Sequence, residues 1–146
     1  MFRGSLWFFL CFSLLGCEPL VLAASPVSKD DRNAAIFGYD PVAYFKDEKP
    51  MKGSGDYTFH WGGAQWYFTS QEHLDLFKED PQAYLPQYGG FCAWALSQGR
   101  LSKANPEAWV IYQGKLYLNC SPAVHQLWLQ DRDKMIEIAD ELWKKV

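Results

Sequence analysis

The chain has 146 residues, of which 49% are hydrophobic and 17% aromatic, and its net charge at neutral pH is −3. That length suits one domain, and the large flat side chains supply enough buried area for a core of about 115–120 residues. The charge excludes non-specific nucleic-acid binding, which needs a basic face.

Residues 1–24 read as an export signal and not as part of the fold. Arg3 is followed by the apolar run Leu6 to Leu15, too short to cross a bilayer comfortably, and then by small residues. Two exits fit. Val21-Leu22-Ala23 satisfies the small-x-small cleavage rule, with Pro19 breaking the helix upstream. Leu14-Leu15-Gly16-Cys17 resembles a lipoprotein box, in which Cys17 would become a lipid-carrying terminus attached to a membrane. Either exit places the mature domain in the periplasm or cell envelope. Cys11 is then lost, Cys17 is lost or lipidated, and Cys92 and Cys120 remain. In an oxidising compartment they can form one disulfide, worth about 3–4 kcal/mol on a chain-entropy estimate. The competing reading is two buried thiols behaving as small apolar residues.

Residues 25–32 are polar and read as a linker to a domain over residues 33–146. Asn33 to Tyr39 reads as an entering strand, stopped by Gly38 and Asp40-Pro41. Val42 to Phe45 is an apolar turn or helical fragment, and 46–55 a charged loop. Tyr57, Phe59 and Trp61 alternate with Thr58 and His60, the period of a half-buried strand. Gly62-Gly63 turns the chain into a return strand over 65–69. Ser70 then stands as an N-cap, His73, Leu74, Leu76 and Phe77 give an apolar helix face, and Asp80-Pro81 ends the helix. Phe91 to Ser97 predicts a short buried helix, and 101–107 a loop. Trp109 to Tyr112, Gln113-Gly114 and Lys115 to Leu118 predict a second hairpin. Ser121-Pro122 starts a helix with Val124, Leu127 and Trp128 on its buried face. Met135, Ile136, Ile138, Ala139, Leu142 and Trp143 form the stripe of a last helix.

The hairpin and its helix recur once, 51 positions on: Trp66 matches Tyr117, Ser70 matches Ser121, and Asp80 matches Asp131. The expected class is α+β, with two antiparallel hairpin-plus-helix units forming an internal pseudo-repeat, packed with short helices and a C-terminal helix.

Five pieces in order resemble the YHS domain family, specifically its exported, single-domain branch. They are Gly38-Tyr39-Asp40-Pro41-Val42-Ala43-Tyr44-Phe45, Trp66-Tyr67-Phe68-Thr69-Ser70, Phe77-Lys78-Glu79-Asp80-Pro81-Gln82-Ala83-Tyr84, Gln87-Tyr88-Gly89-Gly90-Phe91-Cys92-Ala93 and Gly114-Lys115-Leu116-Tyr117-Leu118-Asn119. Members of the wider family are attached to metal transporters and metal-handling proteins. The resemblance therefore implies an accessory binding protein concerned with a transition metal such as copper or zinc. The family's signature has cysteines that suit a soft metal, and here the sequence departs from it. Ala43 stands at the first cysteine position, and Thr69 and His73 at the later pair. The residues left for a metal are His73, Cys92 and Cys120.

No pair of histidines or cysteines has the spacing of a strong zinc or copper site. His60 lies on the polar side of its strand, and His125 follows Cys120 by five residues. Cys92 sits in an apolar run that dulls a thiol nucleophile, so no catalytic residues are assigned and the chain does not read as an enzyme. Gly89-Gly90 lacks the further glycine and lysine of a phosphate loop. Nine aromatics (Tyr39, Tyr44, Trp61, Trp66, Tyr67, Tyr84, Tyr88, Trp94 and Trp109) exceed what a small core can centre, which opens the alternative of an aromatic surface for a ligand or protein partner. On that reading Cys92 and Cys120 are a structural disulfide and no metal is bound.

Overall fold

The computed structural model describes residues 26–146. The proposed signal and Cys17 lie outside the described residues. The fold is α+β, with two two-stranded antiparallel sheets and helices packed around them. In order the elements are α1 (Ala43–Lys46), β1 (Ser54–Trp61), β2 (Ala64–Phe68), α2 (Gln71–Glu79) and α3 (Pro81–Tyr84), then α4 (Ala93–Ser97), β3 (Asn105–Tyr112), β4 (Lys115–Asn119), α5 (Pro122–Gln130) and α6 (Arg132–Trp143).

The second five repeat the first. Both hairpins close on two residues with positive φ, Gly62-Gly63 and Gln113-Gly114, whose twist matches the flanking strands. Phe59 pairs with Trp66 as Val110 pairs with Tyr117, and each long strand carries a register shift at the same place, between Ser54 and Thr58 and between Asn105 and Trp109. Ser70 Oγ accepts the N–H of His73, and Ser121 Oγ that of Val124, both at 3.2 Å, so each second helix starts on the same cap.

The repeat is larger than the hairpin and helix alone. Ahead of each short helix runs a 3-10 turn, Ile36–Gly38 and Gln87–Gly90, with a non-glycine residue in left-handed backbone: Phe37 at φ 58° and Tyr88 at φ 56°. Single bridges match as well, Ala34 with Gln65 and Pro86 with Leu116, then Tyr39 with Lys52 and Phe91 with Lys103. The stretch 33–39 is thus not the expected strand. Positive φ at Ile36 and Phe37 breaks it, leaving Ala34 and Ala35 bridged on one side and Tyr39 on the other. The polar stretch taken as a linker also folds: Ser28 is buried, donates its N–H to Gly89 O at 2.8 Å and accepts that of Ile36 at 2.9 Å. Residues 105–107, expected as loop, belong to β3, and Pro106 is tolerated there because β3 has a partner on one side only.

One core serves both copies. Phe77 of α2 packs its ring against Trp66 and Phe68, with centroids at 5.2 Å in each case, and the same cluster takes in Tyr44, Cys92, Leu116 and Leu118. A second cluster gathers Tyr88, Leu96, Tyr117, Trp128 and Ala139 under α6. Leu127 departs from expectation. It is 50% exposed, because α5 turns only Trp128 fully inward.

Gly90 shows how tightly the copies meet. A Cβ there would lie 2.6 Å from Ile36 Cγ2, whereas one at Gly114 would meet nothing within 4 Å, although both residues have positive φ. Gly90→Ala should therefore be destabilised by about 1–3 kcal/mol more than Gly114→Ala, the overpacking increment. Urea unfolding followed by tryptophan fluorescence measures it, and equal midpoints would contradict the close approach.

Candidate functional site

Each copy closes one joint, between the residue ahead of its first short helix and the end of its hairpin. In the first copy the joint is Asp40, which is fully buried. Its Oδ1 accepts the N–H groups of Val42 at 2.8 Å and Ala43 at 3.2 Å, which starts α1. Its Oδ2 accepts the backbone N–H and the hydroxyl of Thr69, both at 2.8 Å. His73 Nδ1 stands 2.6 Å from the same oxygen and acts as a fifth donor. That arrangement fixes the proton on Nδ1 and turns Nε2 toward Asp47, 3.5 Å away at the surface.

In the second copy the joint is covalent. Cys92 and Cys120 form a disulfide with Cα atoms 5.2 Å apart. Cys92 occupies the place of Asp40, and Cys120 that of Thr69. The backbone repeats the match: Asp40 N–H donates to Met51 O at 2.8 Å, and Cys92 N–H to Ser102 O at 2.9 Å. Cys92 Sγ also caps α4, with the Ala95 N–H at 3.5 Å. Beside it Asn119 is fully buried. Its Oδ1 accepts the Trp94 N–H at 3.0 Å, and its amide stands 3.1 Å from His125 Nδ1. Burial pushes the His125 pKa below its ordinary value and favours the neutral ring.

His73, Cys92 and Cys120 are therefore divided between two joints. Both cysteines are taken up by their bond, and His73 by Asp40. Among the described residues no group of three or more His, Cys, Asp or Glu side chains is arranged to hold a metal ion. Ala43, Thr69 and His73, the positions where the family resemblance places cysteines, do gather around one point, but that point is the Asp40 carboxyl. The residues present do not fit a thiolate-bound metal. His60 is exposed.

The aromatics divide as well. Tyr44, Trp66 and Tyr88 are core, and burial raises the Tyr44 and Tyr88 hydroxyls well above the ordinary range. Trp61, Trp109 and Trp143 are half-buried. A cavity of about 760 Å³ opens between Trp61 at the end of β1, Leu85 and Pro86 between the copies, and Trp143 at the end of α6, with Trp66 also contributing. Lys115, Lys144, Asp140 and Glu141 supply its charges. Asp140 Oδ1 accepts the Tyr88 hydroxyl at 2.8 Å, and a hydrogen bond from Lys144 holds the Glu141 carboxyl below its usual range. A smaller cavity of about 350 Å³ lies beside Tyr44, Phe45 and Trp109.

No family model, curated protein or solved structure matches the chain. Asp40 is the site residue that sequence reasoning missed. Its signal in the sequence is an aspartate followed by proline at the start of a short apolar helix, a pattern that an ordinary turn shares. Removing its carboxylate in Asp40→Ala strands five donors, and the expected loss is about 3–5 kcal/mol, as for breaking a buried charged pair. Thr69→Val removes only the hydroxyl and should cost about 1–2 kcal/mol. Urea unfolding of both variants checks this, and an Asp40→Ala variant within about 1 kcal/mol of wild type would remove the joint from any role in stability.

Proposed function

We propose that this chain is an exported, YHS-type accessory binding module of the cell envelope that takes its ligand in the aromatic-walled groove, with the disulfide as a structural element. The observation that carries the reading is the groove between Trp61 and Trp143. Its volume, about 760 Å³, falls in the range of small-molecule sites, and its lining combines apolar walls with a few polar groups. Copper or zinc handling, the other role the resemblance implies, is the weaker reading, because Cys92 and Cys120 are bonded to one another and His73 is bonded to Asp40. No catalytic step is assigned.

The test uses anilinonaphthalene sulfonate, a probe with an apolar ring system and an anionic group. It should bind the oxidised protein saturably at one site. Trp61→Ala and Trp143→Ala should each weaken binding roughly tenfold, the loss of one aromatic anchor, with far-ultraviolet circular dichroism unchanged. Metal analysis of the same sample should give no stoichiometric copper or zinc and no free thiol at positions 92 and 120. Unaltered probe binding in both variants would overturn the groove. Metal near one ion per chain, lost in Cys92→Ser, would restore the metal reading.

A further inference from the structure

We infer that the Cys92–Cys120 disulfide is exchangeable, with Cys120 as the sulfur that an external dithiol attacks and the folded domain retained in the dithiol form. Three observations carry this, and none depends on the groove. The two sulfurs differ in access: Cys92 is fully buried, while Cys120 is half-buried at the end of β4.

Each sulfur also has a polar neighbour other than its partner. Cys92 Sγ lies 3.5 Å from the Ala95 N–H, which favours it as the departing thiolate. It lies 3.9 Å from Asn119 Oδ1, which can accept the S–H once the sulfur is protonated. Cys120 Sγ lies 3.7 Å from Ser102 Oγ. Reduction therefore strands neither sulfur.

Finally, the first copy closes the same joint without a covalent bond. Asp40 and Thr69 hold it by hydrogen bonds alone, and the backbone bonds around Cys92, to Ser102 O and through the bridge with Leu118, do not involve sulfur. The architecture tolerates an unlinked joint.

The exchange is ordinary thiol–disulfide chemistry. One thiolate of the dithiol bonds to Cys120 Sγ, the Cys92–Cys120 bond breaks, and the electron pair leaves on Cys92 Sγ, which takes a proton from water. The second thiol of the dithiol then attacks its own sulfur in the mixed disulfide and releases Cys120. The protein gains two electrons, and the dithiol is oxidised to its cyclic disulfide.

Two measurements on the mature chain, in which Cys92 and Cys120 are the cysteines left to titrate, decide it. In Cys92→Ser the free Cys120 should react with dithionitrobenzoate roughly tenfold or more faster than the free Cys92 in Cys120→Ser, following access, which here outweighs the thiolate character that the Ala95 N–H lends Cys92. Wild-type protein reduced with dithiothreitol should expose two thiols, keep its near-ultraviolet circular dichroism, and re-form the bond on reoxidation. Equal or reversed rates would overturn the assignment of Cys120. Loss of the near-ultraviolet signal on reduction would overturn exchangeability and leave a purely structural bond.

Discussion

The first half of the domain depends on one buried carboxylate. A charge inside a protein is costly unless its acceptor capacity is filled, and Asp40 fills it with five donors from three separate pieces of chain. Two donors start α1, two belong to the residue that ends the first hairpin, and one comes from the first turn of α2. Helix, hairpin and second helix are thereby held in one relative position, which lets Phe77 of α2 reach Trp66 and Phe68 across the core. Take away the carboxylate, and the hairpin and the short helix keep only apolar contact and the backbone bonds of residues 33–40 to hold their register.

The second half solves the same mechanical problem with sulfur. Cys92 and Cys120 replace Asp40 and Thr69 at matched positions, and the cap on the following helix is unchanged. A disulfide there suits the oxidising compartment that the proposed export implies. This economy bears on function. The candidate metal residues are spent on holding the chain together: His73 by its hydrogen bond to Asp40 in one copy, and Cys92 and Cys120 by a covalent bond in the other. The open site is instead the seam between copies, where β1 of the first, α6 of the second and the Leu85-Pro86 connection meet around a groove.

The elements that declared themselves in sequence are those governed by local chemistry. Gly62-Gly63 and Gln113-Gly114 announce two-residue turns, and Ser70 and Ser121-Pro122 announce helix starts. The repeat was legible there because the same local rules act twice. Its first half was not. Gly89-Gly90 marks the turn over 86–90, but Phe37 adopts left-handed backbone without being glycine, so nothing in its identity marks the matching turn, and single bridges such as Ala34 with Gln65 leave no period to read. Leu127 was misplaced because its spacing from Val124 fits a buried face, while the partner that would cover it is absent among the described residues. The disulfide stood level with two free thiols because spacing carries no distance. The groove was hidden for a related reason: its walls come from residues 61, 85, 86 and 143, and only the fold brings them together.

Exchanging the chemistry of the two joints tests their equivalence most directly. In an Asp40→Cys/Thr69→Cys double variant, oxidised after purification, thiol counting and disulfide mapping report whether the first copy accepts the second copy's bond. The expected result is a new 40–69 disulfide beside the intact Cys92–Cys120 bond, with an unfolding midpoint above that of Asp40→Ala. Two free thiols at 40 and 69 in a folded protein whose Cys92–Cys120 bond is intact would contradict it.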